Sequence, residues 1–229
     1  KKMNKLTILP IGGMGNVTKN MFLYEYDNEI LIIDCGIGFP ERYMLGVDIL
    51  IPDITHLLDR LKQGSKIVGI ALTHGHDDHI AALPYILAQI DEVYKEEFPI
   101  VGSPLTVAFA AARMKDRGYQ RETEVLQPGQ ARKFGTHFSV ESIHVTHSIP
   151  NTTHLVIDTP EGIIYHGSDF KLDPAPVDGK KTDLHRIEEI GKRGVLCAMI
   201  DCLRIERTGV SISESTVSQG LRASMVGWK

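Results

Sequence analysis

The heptapeptide Thr73-His74-Gly75-His76-Asp77-Asp78-His79 decides how the rest of this 229-residue chain is read. It closes the apolar run Ile67–Thr73, whose composition predicts a buried strand, and opens onto His79–Tyr94, whose apolar residues recur at helical spacing. His74 and His76 are two apart, so in extended backbone their side chains project to the same side. Asp78 and His79 then fall at the start of the following helix. A strand end meeting a helix start is a rigid rim on which ligands can converge with little ordering cost. Neutral imidazoles at roughly 2.0–2.1 Å and carboxylates at roughly 2.0–2.2 Å are ordinary zinc ligands. A lone His-x-His is more often structural; three histidines and two aspartates after one apolar strand point to a metal site.

One loop cannot complete a coordination sphere. Two further candidates stand just past predicted strands: His147, in His144-Val145-Thr146-His147-Ser148, and Asp169, in Tyr165-His166-Gly167-Ser168-Asp169. Two divalent cations roughly 3.5–4 Å apart repel, so a shared carboxylate and a bridging hydroxide are needed to hold the pair.

Around these residues the chain reads as clusters of strands flanked by helices. Lys5–Pro10 is strand-like. Asn20–Tyr26 and Glu29–Asp34 form a hairpin about Asp27-Asn28. Cys35–Pro52 is a loop, Thr55–Leu61 a helix, Ile100–Gly102 a short strand, and Ser103 or Pro104 to Arg117 a helix. In the second half Lys133–Phe134, Phe138–His144, Thr153–Thr159 and Gly162–His166 are strands, Asp183–Arg193 is a helix and Val195–Asp201 a strand. Ser211–Lys229 starts like a capped helix and shows no stop; Trp228 near its end reads as packing. This pattern predicts an α/β fold of two mixed sheets sandwiched between helical layers. No linker is visible, so residues 1–229 are read as one domain.

Composition sets the outer bounds. Hydrophobic residues make up 42% and charged residues 24%, ordinary for a globular protein. The net charge of −4 gives no basic footprint for general nucleic-acid binding, although a local groove or bound cations can still attract phosphate. Three cysteines, Cys35, Cys197 and Cys202, make no disulfide framework and favour a reducing compartment. No run approaches the roughly 20 apolar residues of a membrane helix. A cytoplasmic location follows, with Met3 as the expected natural start.

The surrounding text resembles the ribonuclease J family of the metallo-β-lactamase superfamily, in its β-CASP group. His74-x-His76-x-Asp78-His79 matches the superfamily's metal motif. Ile11-Gly12-Gly13-Met14-Gly15, Lys19-Asn20-Met21, Ile33-Asp34-Cys35-Gly36, Met44-Leu45-Gly46-Val47-Asp48, Ile51-Pro52-Asp53, His147-Ser148-Ile149-Pro150 and Gly167-Ser168-Asp169-Phe170-Lys171 look like the opening of ribonuclease J. The resemblance is collinear over about residues 5–215. It implies a metallo-β-lactamase αββα sandwich and an RNA-cleaving phosphodiesterase with 5′-to-3′ exonuclease and endonuclease activity. It also implies two metals: one on His74, His76 and His147, the other on Asp78 and His79, with Asp169 between them. The mixed His and Asp ligands suit divalent zinc first and manganese second. A metal-bridging hydroxide would attack the phosphorus, with Asp78 and His79 as the catalytic pair. The family's inserted β-CASP domain, its C-terminal return and a further metal-binding histidine have no counterpart here. Asp201-Cys202-Leu203 stands where the family usually reads Asp-Ser-Thr, and Gly15-Asn16-Val17-Thr18 replaces Gly-Glu-Ile-Gly.

Around the metals, Asp34, His144 and His166 are candidates to orient the ligands. Ser148 and Lys171 are candidates to meet substrate phosphate, against the plainer readings of a turn hydroxyl and a solvated lysine. His56, His137, His154 and His185 read as surface or helix residues, and Cys35 as a small buried filler. Two other functions remain open: a small-molecule metallo-hydrolase acting on a lactam, lactone or thioester, and a non-catalytic or incomplete fragment. An uncovered sheet edge would allow a homo-oligomer.

Overall fold

The computed structural model describes residues 5–226; Met3 and Trp228 lie outside them. Its first sheet has the order β1-β2-β3-β4-β5-β6. Strands β1 (Thr7–Gly12), β2 (Met21–Tyr26) and β3 (Glu29–Ile33) form an antiparallel meander. Strands β4 (Lys66–Leu72), β5 (Ile100–Gly102) and β6 (Glu124–Val125) continue it in parallel. The β2–β3 turn falls on Asp27, whose φ of 58° is a conformation that Asp tolerates better than most residues.

Alternation along the strands creates two cores from one sheet. Phe22, Tyr24, Leu31 and Ile33 face the second sheet and meet Phe134, Phe138, Val140, Leu155, Ile157 and Ile164. Leu23, Ile30, Ile32, Ile70 and Leu72 face the opposite way, into an aliphatic layer with residues of the helices α1 (Thr55–Lys62), α2 (Asp77–Ile80), α3 (Leu83–Val93) and α4 (Pro104–Asp116).

The second sheet has the order β11-β10-β9-β8-β7, built from β7 (Ala131–Phe134), β8 (Phe138–His144), β9 (Thr153–Thr159), β10 (Gly162–His166) and β11 (Val195–Met199). Its outer face packs Ile143, Val156, Ile163 and Tyr165 against Ile190 of α5 (Leu184–Arg193). Arg186 of α5 pairs with Glu141 of β8 across that layer, Nη2 to Oε2 at 2.8 Å. The layers are therefore αββα, as the sequence predicts, and no helix of the described residues is long and apolar enough to cross a membrane.

Two readings need correction, and one strand escapes the sequence. The single helix expected over His79–Tyr94 is two helices, because Pro84 sits in the first turn of a new one after Ala81 and Ala82. The two-residue strand β6 has too little sequence to show a pattern. His154, read as a surface or helix residue, is 4% exposed on β9, where its Nδ1 lies 2.8 Å from the Tyr165 hydroxyl. The terminal segment forms α6 (Glu214–Met225), which buries none of its residues. Its start is pinned elsewhere: Lys171 Nζ donates to the Ile212 carbonyl at 2.6 Å, and the Glu214 amide donates to Asp173 at 2.9 Å.

Candidate metal centre

The C-terminal ends of β4, β8 and β10 bring together side chains that are far apart in sequence. One ligand atom from each of His74, His76, His147 and Asp169 lies within 4.8 Å of the other three. His74 Nε2 is 3.0 Å from His76 Nδ1, and His147 Nε2 is 3.3 Å from the same nitrogen. Asp169 Oδ2 is 3.5 Å from His147 Nε2 and 4.0 Å from His74 Nε2. Imidazole nitrogens crowded against one another satisfy each other poorly as hydrogen-bond partners. With a carboxylate beside them they fit a divalent cation, whose ligand distances of roughly 2.0–2.2 Å are on the scale of this cluster.

Electrostatics support neutral imidazoles here. Burial, and then the neighbouring imidazoles, hold His74 well below the usual histidine range. His147 is lowered mainly by burial. Burial alone would raise Asp169, but the neighbouring histidines, His79 first, bring it down. Asp78 is raised, chiefly by burial.

His79 and Asp78 stand beside this group. His79 Nε2 is 3.5 Å from Asp169 Oδ1 and 3.8 Å from Asp78 Oδ2, so Asp169 lies between the two halves of the site. The Asp34 carboxylate binds His79 Nδ1 at 2.8 Å and accepts from the Thr73 amide, also at 2.8 Å. Burial lowers the His79 pKa, yet Asp34 and Asp169 reverse this and lift it to about 10.

A residue that sequence reasoning passed over pulls the other way. The Asn20 side-chain nitrogen lies 3.0 Å from His79 Nε2, 3.1 Å from the Val17 carbonyl and 3.2 Å from the Asp78 carbonyl. The two carbonyls fix the amide with its nitrogen inward; that nitrogen can only donate, so one of its two hydrogens serves His79 Nε2 and the other is shared between the two carbonyls. His79 Nε2 must then carry a lone pair, with the ring proton at Nδ1 facing Asp34. We read His79 as this neutral tautomer, since the amide has no alternative orientation that spares both carbonyls. A lone asparagine 59 residues from its partner carries no spacing signal; only its place in Lys19-Asn20-Met21 hinted at it.

His166 is buried under the site and binds the Tyr24 hydroxyl at 2.7 Å, linking the two sheets. His144 Nε2 lies 3.2 Å from the Lys180 carbonyl. Ser148 Oγ is 3.4 Å from His76 Nε2. Lys171 is engaged by Glu214 at 2.7 Å. His147, Ser148, Ile149, Pro150, Lys171 and Glu214 help line a cavity of about 340 Å³ beside the cluster.

Backbone contacts hold the histidine loop in place. Cys35 donates its amide to the His79 carbonyl at 2.7 Å, Ile37 donates to Asp77 at 3.1 Å, and Ala82 donates to Cys35 at 3.0 Å. Gly36 permits this approach, because a Cβ there would lie 1.5 Å from the Asp78 carbonyl oxygen. Cys35 itself has no exposed surface.

Two face-packed sheets with a histidine- and aspartate-lined centre at their strand ends define a metallo-β-lactamase-type chain. A sequence profile described as the metallo-beta-lactamase superfamily matches residues 14–162, and the chain belongs to that superfamily. Within it, the chain is similar to ribonuclease J. It is 38% identical to ribonuclease J of Synechocystis sp. over 94% of this chain and 33% of that protein, and 38% identical to that of Thermus thermophilus over 93% and 37%. The chain thus spans about a third of the length of these curated relatives. A solved structure from Enterococcus faecalis, described as a protein of unknown function, shares the fold with a TM-score of 0.70 at 18% identity. That match covers 97% of this chain and 57% of the other.

Proposed function

We propose that this chain is the catalytic metallo-β-lactamase-like portion of a metal-dependent ribonuclease of the ribonuclease J type, cleaving RNA phosphodiester bonds by exonucleolytic and endonucleolytic routes. The observation that carries this reading is the convergence of His74, His76, His147 and Asp169 at the strand ends of both sheets, in a chain similar to ribonuclease J along nearly its whole length. Residues 1–229 are read as one such unit working in the cytoplasm.

His74, His76 and His147 would hold one divalent cation, Asp78 and His79 a second, and Asp169 both; zinc suits this ligand set first and manganese next. Bound cations of this kind lower the pKa of water towards ~7 and neutralise charge on a phosphoryl group. Asp34 fixes the His79 ring by accepting a hydrogen bond from its Nδ1. Asp78, half-buried at the start of α2, would orient the attacking water. Ser148 borders both the cluster and the adjoining cavity, where its hydroxyl can donate to a phosphate oxygen. Lys171 can do so only by giving up Glu214.

The test is elemental analysis of the purified chain beside its His76→Ala variant, with cleavage of a 5′-monophosphorylated RNA. Bound metal that is lost with His76, together with RNA cleavage that is lost with the metal, is the expected result. A metal-loaded chain that hydrolyses nitrocefin or a lactone and leaves RNA intact would overturn the substrate assignment. A chain without metal would overturn the site.

A further inference from the structure

We propose that the Asn20 side chain competes with the cation for His79 Nε2, so that the two halves of the centre load unequally. On this account the His74, His76, His147 and Asp169 group fills first and tightly. The Asp78 and His79 half fills second and weakly. The inference rests on reading the cluster as a metal centre.

Two observations point the same way. The four groups whose ligand atoms already converge include neither Asp78 nor His79. The Asn20 amide nitrogen sits 3.0 Å from the one His79 nitrogen not held by Asp34. A cation bound at that nitrogen must displace the amide, because one lone pair cannot serve both.

The side chain is separable from the scaffold. Asn20 already fixes the loop through its backbone, donating its amide to the Asp78 carbonyl at 3.0 Å and accepting from the Gly36 amide at 2.9 Å. Truncating the side chain leaves those bonds in place and removes the competitor for Nε2. The Val17 and Asp78 carbonyls that lose the amide are not stranded, since Val17 is 56% exposed and Asp78 keeps the Asn20 backbone amide.

Zinc titrated calorimetrically into the chelator-stripped chain, wild type beside Asn20→Ala, tests the proposal. The wild type should take up one zinc tightly and a second weakly. Asn20→Ala should leave the first step unchanged and strengthen the second about tenfold. That factor is about 1.4 kcal/mol, the scale of one hydrogen bond. A second step that is unchanged or weakened in the variant overturns the inference, and so do two equal steps in the wild type. A wild-type chain that takes up no zinc overturns the metal reading itself. Should Asn20→Ala fail to fold, the wild type still decides. Its Asn20 side-chain amide resonances should shift with the second equivalent of zinc, and a shift completed with the first overturns the inference.

Discussion

Asp34 Oδ2 lies 2.8 Å from His79 Nδ1, and both residues are shut away from solvent, at 1% and 2% exposure. Asp34 also takes the Thr73 amide and hydroxyl, so one carboxylate links β3, the end of β4 and the start of α2. Its φ of 60° is one that asparagine also tolerates. Asp34→Asn should therefore fold and still lose its grip on His79. The expected cost is about 10- to 100-fold in metal affinity or RNA cleavage. Metal titration and cleavage rates measured alongside a thermal melt would check this; full retention of both would show that Asp34 does not orient the ring.

Gly36→Ala should be severe. The added methyl would lie 1.5 Å from a backbone oxygen that is itself held by hydrogen bonds, so neither partner can rotate away. Overpacking of this sort costs about 1–3 kcal/mol where side chains can yield, and a backbone clash should reach at least the upper end. Urea unfolding would measure the loss. A midpoint within error of wild type would mean that the crossing of Gly36 and Asp78 is looser than it stands here.

Acid should weaken the fold through two histidines outside the proposed ligand set. Burial pushes His154 and His166 down to about 4, reinforced for His154 by His166 and opposed for His166 by Asp34. Both folded values lie below the unfolded value of about 6.5. Above that value neither state binds the proton, and the full stability is present. As pH falls from about 6.5 towards about 4, the unfolded chain takes up protons that the native rings refuse, and stability is lost. Each ring contributes on the order of 3 kcal/mol across that window. Urea melts at stepped pH, with chelator present to remove metal effects, should show this slope. His166→Gln should flatten its share of it, and an equal slope in that variant would assign the acid sensitivity elsewhere.

Lys171→Met should loosen α6 without unfolding the sheets. The helix buries no residue, and its start is tied down by Lys171, Asp173 and Ser213. A partly exposed ion pair of this kind is worth about 0.2–1 kcal/mol. The melting temperature should barely move, while amide exchange over 213–225 accelerates. Unchanged exchange would show that Asp173 and Ser213 suffice.

Much of this architecture was legible wherever alternation met a clear turn. The hairpin at Asp27-Asn28 and the strands Thr153–Thr159 and Gly162–His166 stand where the sequence places them. The expected helix over His79–Tyr94 was misjoined because its apolar spacing runs unbroken through Ala81 and Ala82, while Pro84 restarts the helix. Within the site, the local spacing of His74, His76, Asp78 and His79 announced itself. Asn20 did not, because its contact with His79 is made by the meeting of two loops rather than by any pattern along the chain. His154 was misread for a related reason: its partner Tyr165 lies on the neighbouring strand, and a histidine in an alternating strand looks the same whether its face is wet or covered.

The enclosure of Cys35 gives the molecule its own chemical clock. Its thiol has no exposed surface, burial pushes its pKa up, and its backbone is bonded on both sides to the segment that carries His79. Cys202 is exposed and Cys197 lies between these extremes. An alkylating reagent should therefore mark Cys202 at once and reach Cys35 only when the histidine loop lifts away from β3. The lag between the two labels would time that opening in the unmodified chain, and cations that bridge the loop should lengthen it.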